Sequence, residues 1–466
     1  MSRIATLAQV SEWTGGSVLR GRADQTVRET IIDSRLVRPG ALFVAIVGPN
    51  HDAHRFLSEV LLAGAAGAIV QSDRIEETLP RTDGFLVHVD DTTQALADLA
   101  KGHRQSFSGP LIGITGSNGK TTTKELCAGI LQEVGPTLAT EGNLNNNFGV
   151  PLTLLKREDQ DVYAVIEMGM NHRGEIAALA EIAQPTIGIL TNVGTAHIEF
   201  LGSRETIAEE KGDLLASLPE NGTAVVGRDD PLAFAQARRS TARTLSFGRD
   251  AGADLCASAI RYLNEGAFAF ELETPFGRGE IRVAGLAETI VENALAAAGG
   301  AFAAGISFDQ VAAGLANHSG VPGRMQPRRF PNDVLIIDDS YNANPQSMRN
   351  ALETLARLES GGRRFAVLGQ MGELGDLADE AHLEIGRCAG SLGLDAVFLI
   401  GPGASKMSEG ALESGLRPTQ VHIEENHAAI ARSLGSRLSK GDCVLVKGSR
   451  AARMERVIEM LEEAHH

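Results

Sequence analysis

The chain is short of several residue types, and each shortage excludes something. It has 4 cysteines in 466 residues, Cys127, Cys256, Cys388 and Cys443. They lie far apart with no CxxC pair, so neither a disulfide framework nor a zinc site is indicated. A reducing compartment is the simplest expectation. Aromatic residues make up only 4% while glycine reaches 52, a mix that suits strand–helix turns of an α/β protein better than a β-sandwich. No apolar run reaches the roughly 20 residues that span a bilayer, and no basic stretch with an apolar core opens the chain, so we expect a cytoplasmic protein without membrane insertion. Positive charge is also scarce, 43 Lys and Arg against 59 Asp and Glu, a net −16. That argues against a general nucleic-acid binder and leaves open an anionic nucleotide held by a local site.

What is present is ample for cores: 43% of residues are apolar and 22% charged, over a length that suggests about three domains. The expected fold class is α/β. Residues 1–107 read as a small α/β domain, with strands at Ala41–Val47, Ala66–Val70 and Phe85–Val89, a helix over Phe56–Ala65 and another from Thr92. Gln105–Pro110 reads as a linker. Residues 108–318 alternate buried strands (Tyr163–Glu167, Thr186–Leu190, Thr223–Val226) with helices, which predicts a mostly parallel sheet. Leu255–Val283 reads as an antiparallel excursion and Ala287–Ala304 as a helix. After Gly320-Val-Pro-Gly323 the pattern restarts over 319–466, with short apolar strands at Val334–Ile337, Phe365–Leu368, Ala396–Ile400 and Cys443–Val446. This suits a doubly wound, Rossmann-like sheet, but no GxGxxG opens it, so a nicotinamide cofactor is not expected.

The strongest local signal is Gly113-Ile-Thr-Gly116-Ser117-Asn118-Gly119-Lys120-Thr121-Thr122. It follows the apolar start Leu111-Ile112 and opens a helical run. A strand, a glycine turn and Lys-Thr at a helix start form a phosphate cradle, since turn and helix N-terminal N–H groups point at phosphate oxygens. Lys120 then reaches the terminal phosphates and the Thr121 hydroxyl can ligate Mg²⁺. The turn is shorter than the general pattern, with Ile at position 114 where a glycine would stand.

Polar clusters follow several strands, where open α/β sheets place ligands. Glu167 ends one strand as a Mg²⁺ ligand or an exposed turn cap. His197, in Thr191–Glu199, is a metal ligand, a phosphate contact or simply a hydrogen-bonded loop residue. Lys211, amid acids, is either functional or part of a solvated helix face. Asn143, Asn145, Asn146 and Asn147 form a turn-rich or substrate-contacting loop. Asp338–Pro345 either holds a ribose or caps a helix. Lys447-Gly-Ser449-Arg450 reads as a cationic turn suited to an anionic substrate.

Together these motifs resemble the Mur ligase family, the ATP-dependent amide-forming enzymes of peptidoglycan assembly. The resemblance runs from Asp33-Ser34-Arg35 and Pro39–Gly48 through the phosphate loop, Asn192–His197 and Lys211-Gly-Asp213. Asp339-Ser-Tyr-Asn-Ala-Asn-Pro345, Gly369–Gly375 and Val446–Arg450 are similar to the member that acts last in the cytoplasm. The resemblance implies an N-terminal UDP-substrate domain, a central ATPase domain and a C-terminal ligase domain that close over ATP and Mg²⁺. It also implies an acyl phosphate on UDP-N-acetylmuramoyl-tripeptide, attacked by D-alanyl-D-alanine, in a monomer.

The site residues it implies are Lys120, His197 and Lys211 for catalysis and Thr121, Glu167, His197 and a carbamylated Lys211 for metal. Gly116 to Thr122, Asn293, Arg324 and Asp339 fall to ATP. Ser34, Arg35, Asn143, Asn145, Asn146, Tyr341, Asn344, Lys447 and Ser449 fall to the other substrates. Thr289-Ile290 replaces the family's usual His-Asn before Asn293, and Asp52-Ala53-His54 replaces Asp-Gly-His. The competing readings are a sister ligase adding the third residue, a folylpolyglutamate-synthase-like ligase and a nucleotide-binding protein without turnover.

Overall fold

A computed structural model describes residues 4–71, 82–263, 266–330, 333–359 and 361–464. Its centre is a nine-stranded sheet. In spatial order the strands are Gly277–Ala284, Ala267–Thr274, Leu255–Leu263, Arg243–Gly248, Thr223–Gly227, Ile187–Leu190, Leu111–Thr115, Tyr163–Glu167 and Thr137–Ala139. The first two pairings are antiparallel and the other six parallel. The continuous apolar runs of the parallel strands follow from cover on both faces. Ile112, Ile114, Val165, Ile189 and Val225 face the helices Lys120–Gln132 and Thr289–Ala303. Leu111, Ile166, Leu190 and Val226, one residue out of phase, face Glu175–Ala183 and Arg204–Ala216. Leu111–Thr115 lies between Ile187–Leu190 and Tyr163–Glu167, so its carboxyl end opens at the point where strand order reverses.

The amino-terminal sheet runs Ser17–Arg20, Phe85–Val89, Gly67–Gln71, Ala41–Val44, Glu29–Ile31. The helix expected over Phe56–Ala65 is shorter, a 3-10 turn at Ala53–Phe56 leading into Leu57–Leu62. Asp52 accepts the N–H of His54 at 3.0 Å and so starts that turn early. The helix Thr92–Arg104 joins this sheet to the central one, and its Leu96, Leu99 and Ala100 belong to the same apolar cluster as Leu179 and Leu215. Gln105–Pro110 is therefore not a loose linker. Phe107 within it is buried, and Arg104 donates to the carbonyls of Ala183 (2.8 Å), Gln184 (2.9 Å) and Phe107 (2.6 Å).

The carboxyl-terminal sheet has six strands: Gln326–Phe330, Val334–Asp339, Cys443–Lys447, Arg364–Leu368, Ala396–Leu399 and Val421–Ile423. Only the first pairing is antiparallel. The two edge strands escape a search for apolar runs because each buries one face at most, as in Gln-Pro-Arg-Arg-Phe. Among the described residues no helix is long and apolar enough to cross a membrane.

Candidate active site

A cavity of about 1030 Å³ lies between the central and carboxyl-terminal sheets, lined from both. On the central side the chain leaves Leu111–Thr115 through the phosphate loop and enters the helix Lys120–Gln132, which has no side-chain N-cap. Its first N–H groups thus remain for a ligand. Gly116 (φ 153°) and Gly119 (φ 79°) occupy backbone regions that favour glycine. A Cβ would meet Thr191 Oγ1 at 1.9 Å from Gly116 and Asn293 Oδ1 at 2.1 Å from Gly119. The loop is fixed from behind: Ser117 N–H donates to the Asn192 carbonyl at 2.9 Å, Asn118 N–H to Asn192 Oδ1 at 2.9 Å, and Thr191 Oγ1 to the Asn118 carbonyl at 2.7 Å. Thr191 and Asn192 are thus the loop's scaffold, a role hidden in sequence behind the neighbouring His197.

Lys120 Nζ folds back onto the Gly116 carbonyl at 2.7 Å. Loss of hydration holds its pKa below the usual lysine value; Glu167 opposes that shift and Arg324 reinforces it. Lys211 is not on a solvated face. It is fully buried, its Nζ has no hydrogen-bond partner, and burial first, then the charge of Lys120, pushes its pKa well down. Glu167 is not an exposed cap either. At 2% exposure it lines the cavity, with Oε1 accepting from Asn145 Nδ2 at 2.7 Å and Oε2 without a partner. Asn143, Asn146 and Asn147 line the same wall, and Asn146 Oδ1 also accepts the N–H of Gly149 at 2.9 Å. Asn293 stands over Gly119, and Thr289 and Ile290 line the cavity beside it. His318, unmarked by any sequence signal, lines it too. Its Nε2 has no partner, and burial lowers its pKa.

The opposite wall reaches across. Arg324 Nη2 donates to Thr121 Oγ1 at 2.8 Å while its guanidinium lies 4.3 Å from the Tyr341 ring centroid. Asn344 Nδ2 donates to Asn118 Oδ1 at 2.7 Å, and Asn118 Nδ2 to Gln346 Oε1 at 3.2 Å. His197 Nδ1 lies 2.6 Å from Glu373 Oε2. Lys447 is not part of a free cationic turn. It ends a buried strand, and its Nζ donates to Asp339 Oδ2 at 2.6 Å and to the Asn342 carbonyl at 2.9 Å. Asp339 Oδ1 accepts the Met325 N–H at 3.1 Å, which places Arg324. Ser449 is buried outside the cavity lining. Ser34 and Arg35 also lie outside it, with Arg35 exposed and 2.6 Å from Asp33, which that contact holds at a pKa of about 2.

Among the described residues no three His, Cys, Asp or Glu side chains converge on a preformed metal cage. Mg²⁺ is held by one or two protein oxygens with waters and phosphates, so its site rests on few side chains. The glycine cradle and the orphaned Glu167 Oε2 fit a Mg–nucleotide.

A strand–glycine turn–helix cradle closed by a second α/β domain defines a class, and comparison with known families identifies it. The Mur ligase middle domain matches residues 114–301, and the Mur ligase, glutamate ligase domain matches 323–450. The chain belongs to the Mur ligase family. UDP-N-acetylmuramoyl-tripeptide–D-alanyl-D-alanine ligase of Escherichia coli (strain K12) is 38% identical over 462 residues, 98% of each chain. The crystal structure of MurF from Acinetobacter baumannii is similar with a TM-score of 0.89 at 33% identity, over 99% of both chains. MurF ligase from Thermotoga maritima in complex with ADP is similar with a TM-score of 0.82 at 34% identity, over 94% of this chain and 97% of that one.

Proposed function

We propose that this chain is an ATP-dependent, ADP-forming ligase. It joins D-alanyl-D-alanine to UDP-N-acetylmuramoyl-tripeptide and yields the UDP-linked pentapeptide of peptidoglycan precursor synthesis. The observation that carries the reading is the phosphate loop facing Arg324 and Asp339 across one cavity, in a chain similar over its whole length to such ligases.

The chemistry is charge management. A triphosphate and a carboxylate repel by about 4 kcal/mol per unit pair at 4 Å and an effective dielectric near 20. Lys120 exchanges its Gly116 carbonyl for the terminal phosphates, so its positive charge arrives with the anion. Arg324 releases Thr121 Oγ1 and turns to the phosphates, while Asp339, held by Lys447, takes the ribose and Asn293 the adenine. Bound Mg²⁺ would neutralise phosphate oxygens. Thr121 and Glu167 are the residues to hold it, with Asn145 orienting Glu167. His197 has Nδ1 against Glu373, so only Nε2 is open to a ligand role. Lys211, buried and held towards its neutral form, is suited to carbamylation, which would supply a carboxylate beside Lys120. The terminal carboxylate of the tripeptide takes the γ-phosphoryl group. The dipeptide amine, having lost its ammonium proton, then attacks the acyl carbon; the C–N bond forms, a second proton leaves the nitrogen for solvent, and phosphate departs as its C–O bond breaks.

Ser34 and Arg35 serve the UDP end, and Asn143, Asn146, Tyr341 and Asn344 the peptide. The working divisions are 1–107, 108–318 and 319–466, in a cytoplasmic monomer. ADP release that requires both UDP-tripeptide and D-alanyl-D-alanine is the test. Release with neither, or none with both, sinks the reading.

A further inference from the structure

A cavity built to gather anions is a poor place for an ammonium. Lys120 and Arg324 line it, and the incoming dipeptide must bring its positively charged amino end to the phosphoryl group they would hold. One carboxylate with spare capacity is needed there. Most of those lining the cavity are occupied. Asp339 is paired with Lys447; Glu292 is paired with Arg249 through Oε1, and Glu167 has Oε1 taken by Asn145, while the second oxygen of each of these two glutamates has no partner but is buried away from solvent. Asp229 accepts the N–H of Arg249 at 2.7 Å, Asp230 that of Val193 at 2.7 Å, and Glu175 that of Asn171 at 2.6 Å.

Glu373 differs. It lines the cavity from the carboxyl-terminal wall with its side chain 44% exposed, touches the His197 imidazole with one oxygen only, and lies close enough to Lys120 for their charges to interact. Its backbone is left-handed (φ 61°), as is that of His197 (φ 65°), a conformation a non-glycine residue keeps only when its surroundings impose it. The surroundings are visible. Gly369 N–H donates to the Lys447 carbonyl at 2.8 Å, and Ser449 N–H to the Gln370 carbonyl at 2.9 Å. Buried His382 accepts the Met371 N–H on Nε2 at 3.0 Å and gives its Nδ1 proton to the Ala378 carbonyl at 2.6 Å. The loop is thus tied at three points, and Glu373 is presented rather than left to wander.

We propose that Glu373 seats the ammonium of the incoming D-alanyl-D-alanine, so that the amino end is held by a charge-assisted hydrogen bond opposite the phosphate loop and becomes the nucleophile once it has lost a proton to solvent. This rests on the ligase reading above. His382 is a positioning residue for the loop.

The test is steady-state kinetics of Glu373→Gln and Glu373→Asp in the full chain, with each substrate varied in turn. Glu373→Gln should raise KM for D-alanyl-D-alanine about tenfold or more, with KM for ATP and UDP-tripeptide changing by less than about threefold. Glu373→Asp should recover part of the loss. Hydroxylamine, an uncharged nucleophile, should trap acyl phosphate as hydroxamate with Glu373→Gln far better than the dipeptide traps it. Three KM values rising together, with hydroxamate falling in step, would make the His197–Glu373 contact a mere domain clasp and overturn the proposal. An unchanged dipeptide KM in a variant of an active enzyme would also overturn it, and would leave the ligase reading standing. A wild-type chain without dipeptide-dependent ADP release would remove both.

Discussion

The two walls of the cavity are built by opposite means. The central wall is local: Gly116 to Thr122 are consecutive, and one strand, one turn and one helix deliver the whole cradle. The carboxyl-terminal wall is assembled from separated segments, Arg324 before the edge strand Gln326–Phe330, Asp339 at the end of Val334–Asp339, Glu373 in the loop after Arg364–Leu368 and Lys447 at the end of Cys443–Lys447. The difference shows in how each wall manages charge. The central wall keeps Lys120 short of hydration, and behind it Lys211 is buried without a partner and outside the cavity lining, both pushed towards neutrality. The other wall pairs its buried lysine permanently with Asp339 and uses that pair as a frame. The central wall leaves its lysine poised for ligand, whereas the other fixes its lysine for shape and leaves Arg324 and Glu373 to reach the ligand.

Four experiments strain this contrast, in order of expected size. Lys120→Ala should lower kcat by about 10³-fold or more, because it removes a preorganised cation from the transferring phosphoryl group. Its melting temperature should stay close to wild type; near-normal ADP release would deny Lys120 its role. Lys447→Met should act on the fold instead. It leaves Asp339 largely buried and unpaired, at a cost of about 3 kcal/mol or more in urea unfolding. A variant as stable as wild type would mean the pair is no frame.

The third experiment places one probe behind each wall. Burial pushes the thiols of Cys127, in the phosphate-loop helix, and Cys443, in the carboxyl-terminal strand, up to about 12. In the unfolded chain they ionise near 9, so between the two values the native state holds the extra proton. Stability is then fully present below pH 9 and lost as pH rises towards 12, by about 1.4 kcal/mol per pH unit per thiol. Denaturant titrations at pH 8 to about 10.5 should show a shallower decline in Cys127→Ala or Cys443→Ala than in wild type. Equal slopes would contradict the burial.

The smallest effect concerns the bridge between walls. Asn344 caps the helix Pro345–Arg357 through Ser347 N–H (2.9 Å) and donates to Asn118. Asn344→Ala loses cap and bridge, about 1–2 kcal/mol, whereas Asn344→Asp keeps the cap and should lose about half of that. An Asn344→Asp variant that melts as low as Asn344→Ala would show that the bridge carries the loss and the cap adds nothing.

Legibility in the sequence followed locality. The parallel strands announced themselves because each is buried on both faces, and Tyr163–Glu167 and Phe85–Val89 coincide with the spans expected from their apolar residues. The edge strands Gln326–Phe330 and Val421–Ile423 did not, since half of each faces outward. Lys211 looked like a solvated helix residue because its acidic neighbours suggested water, and only packing revealed its burial. Lys447 looked like a substrate cation because Asp339, its partner, is 108 positions away. Glu373 was one letter within a family-like stretch and acquired meaning only where its loop meets His197.

The amino-acid order alone determined the phosphate cradle, the alternation of strand and helix, and the family, because each rests on neighbours in the chain and on two-sided burial. Which charges are paired, which are stranded and which face each other across the cavity was decided by the tertiary structure. Coulomb interactions and desolvation depend on distance in space, and that distance exists only once the two sheets have been brought together.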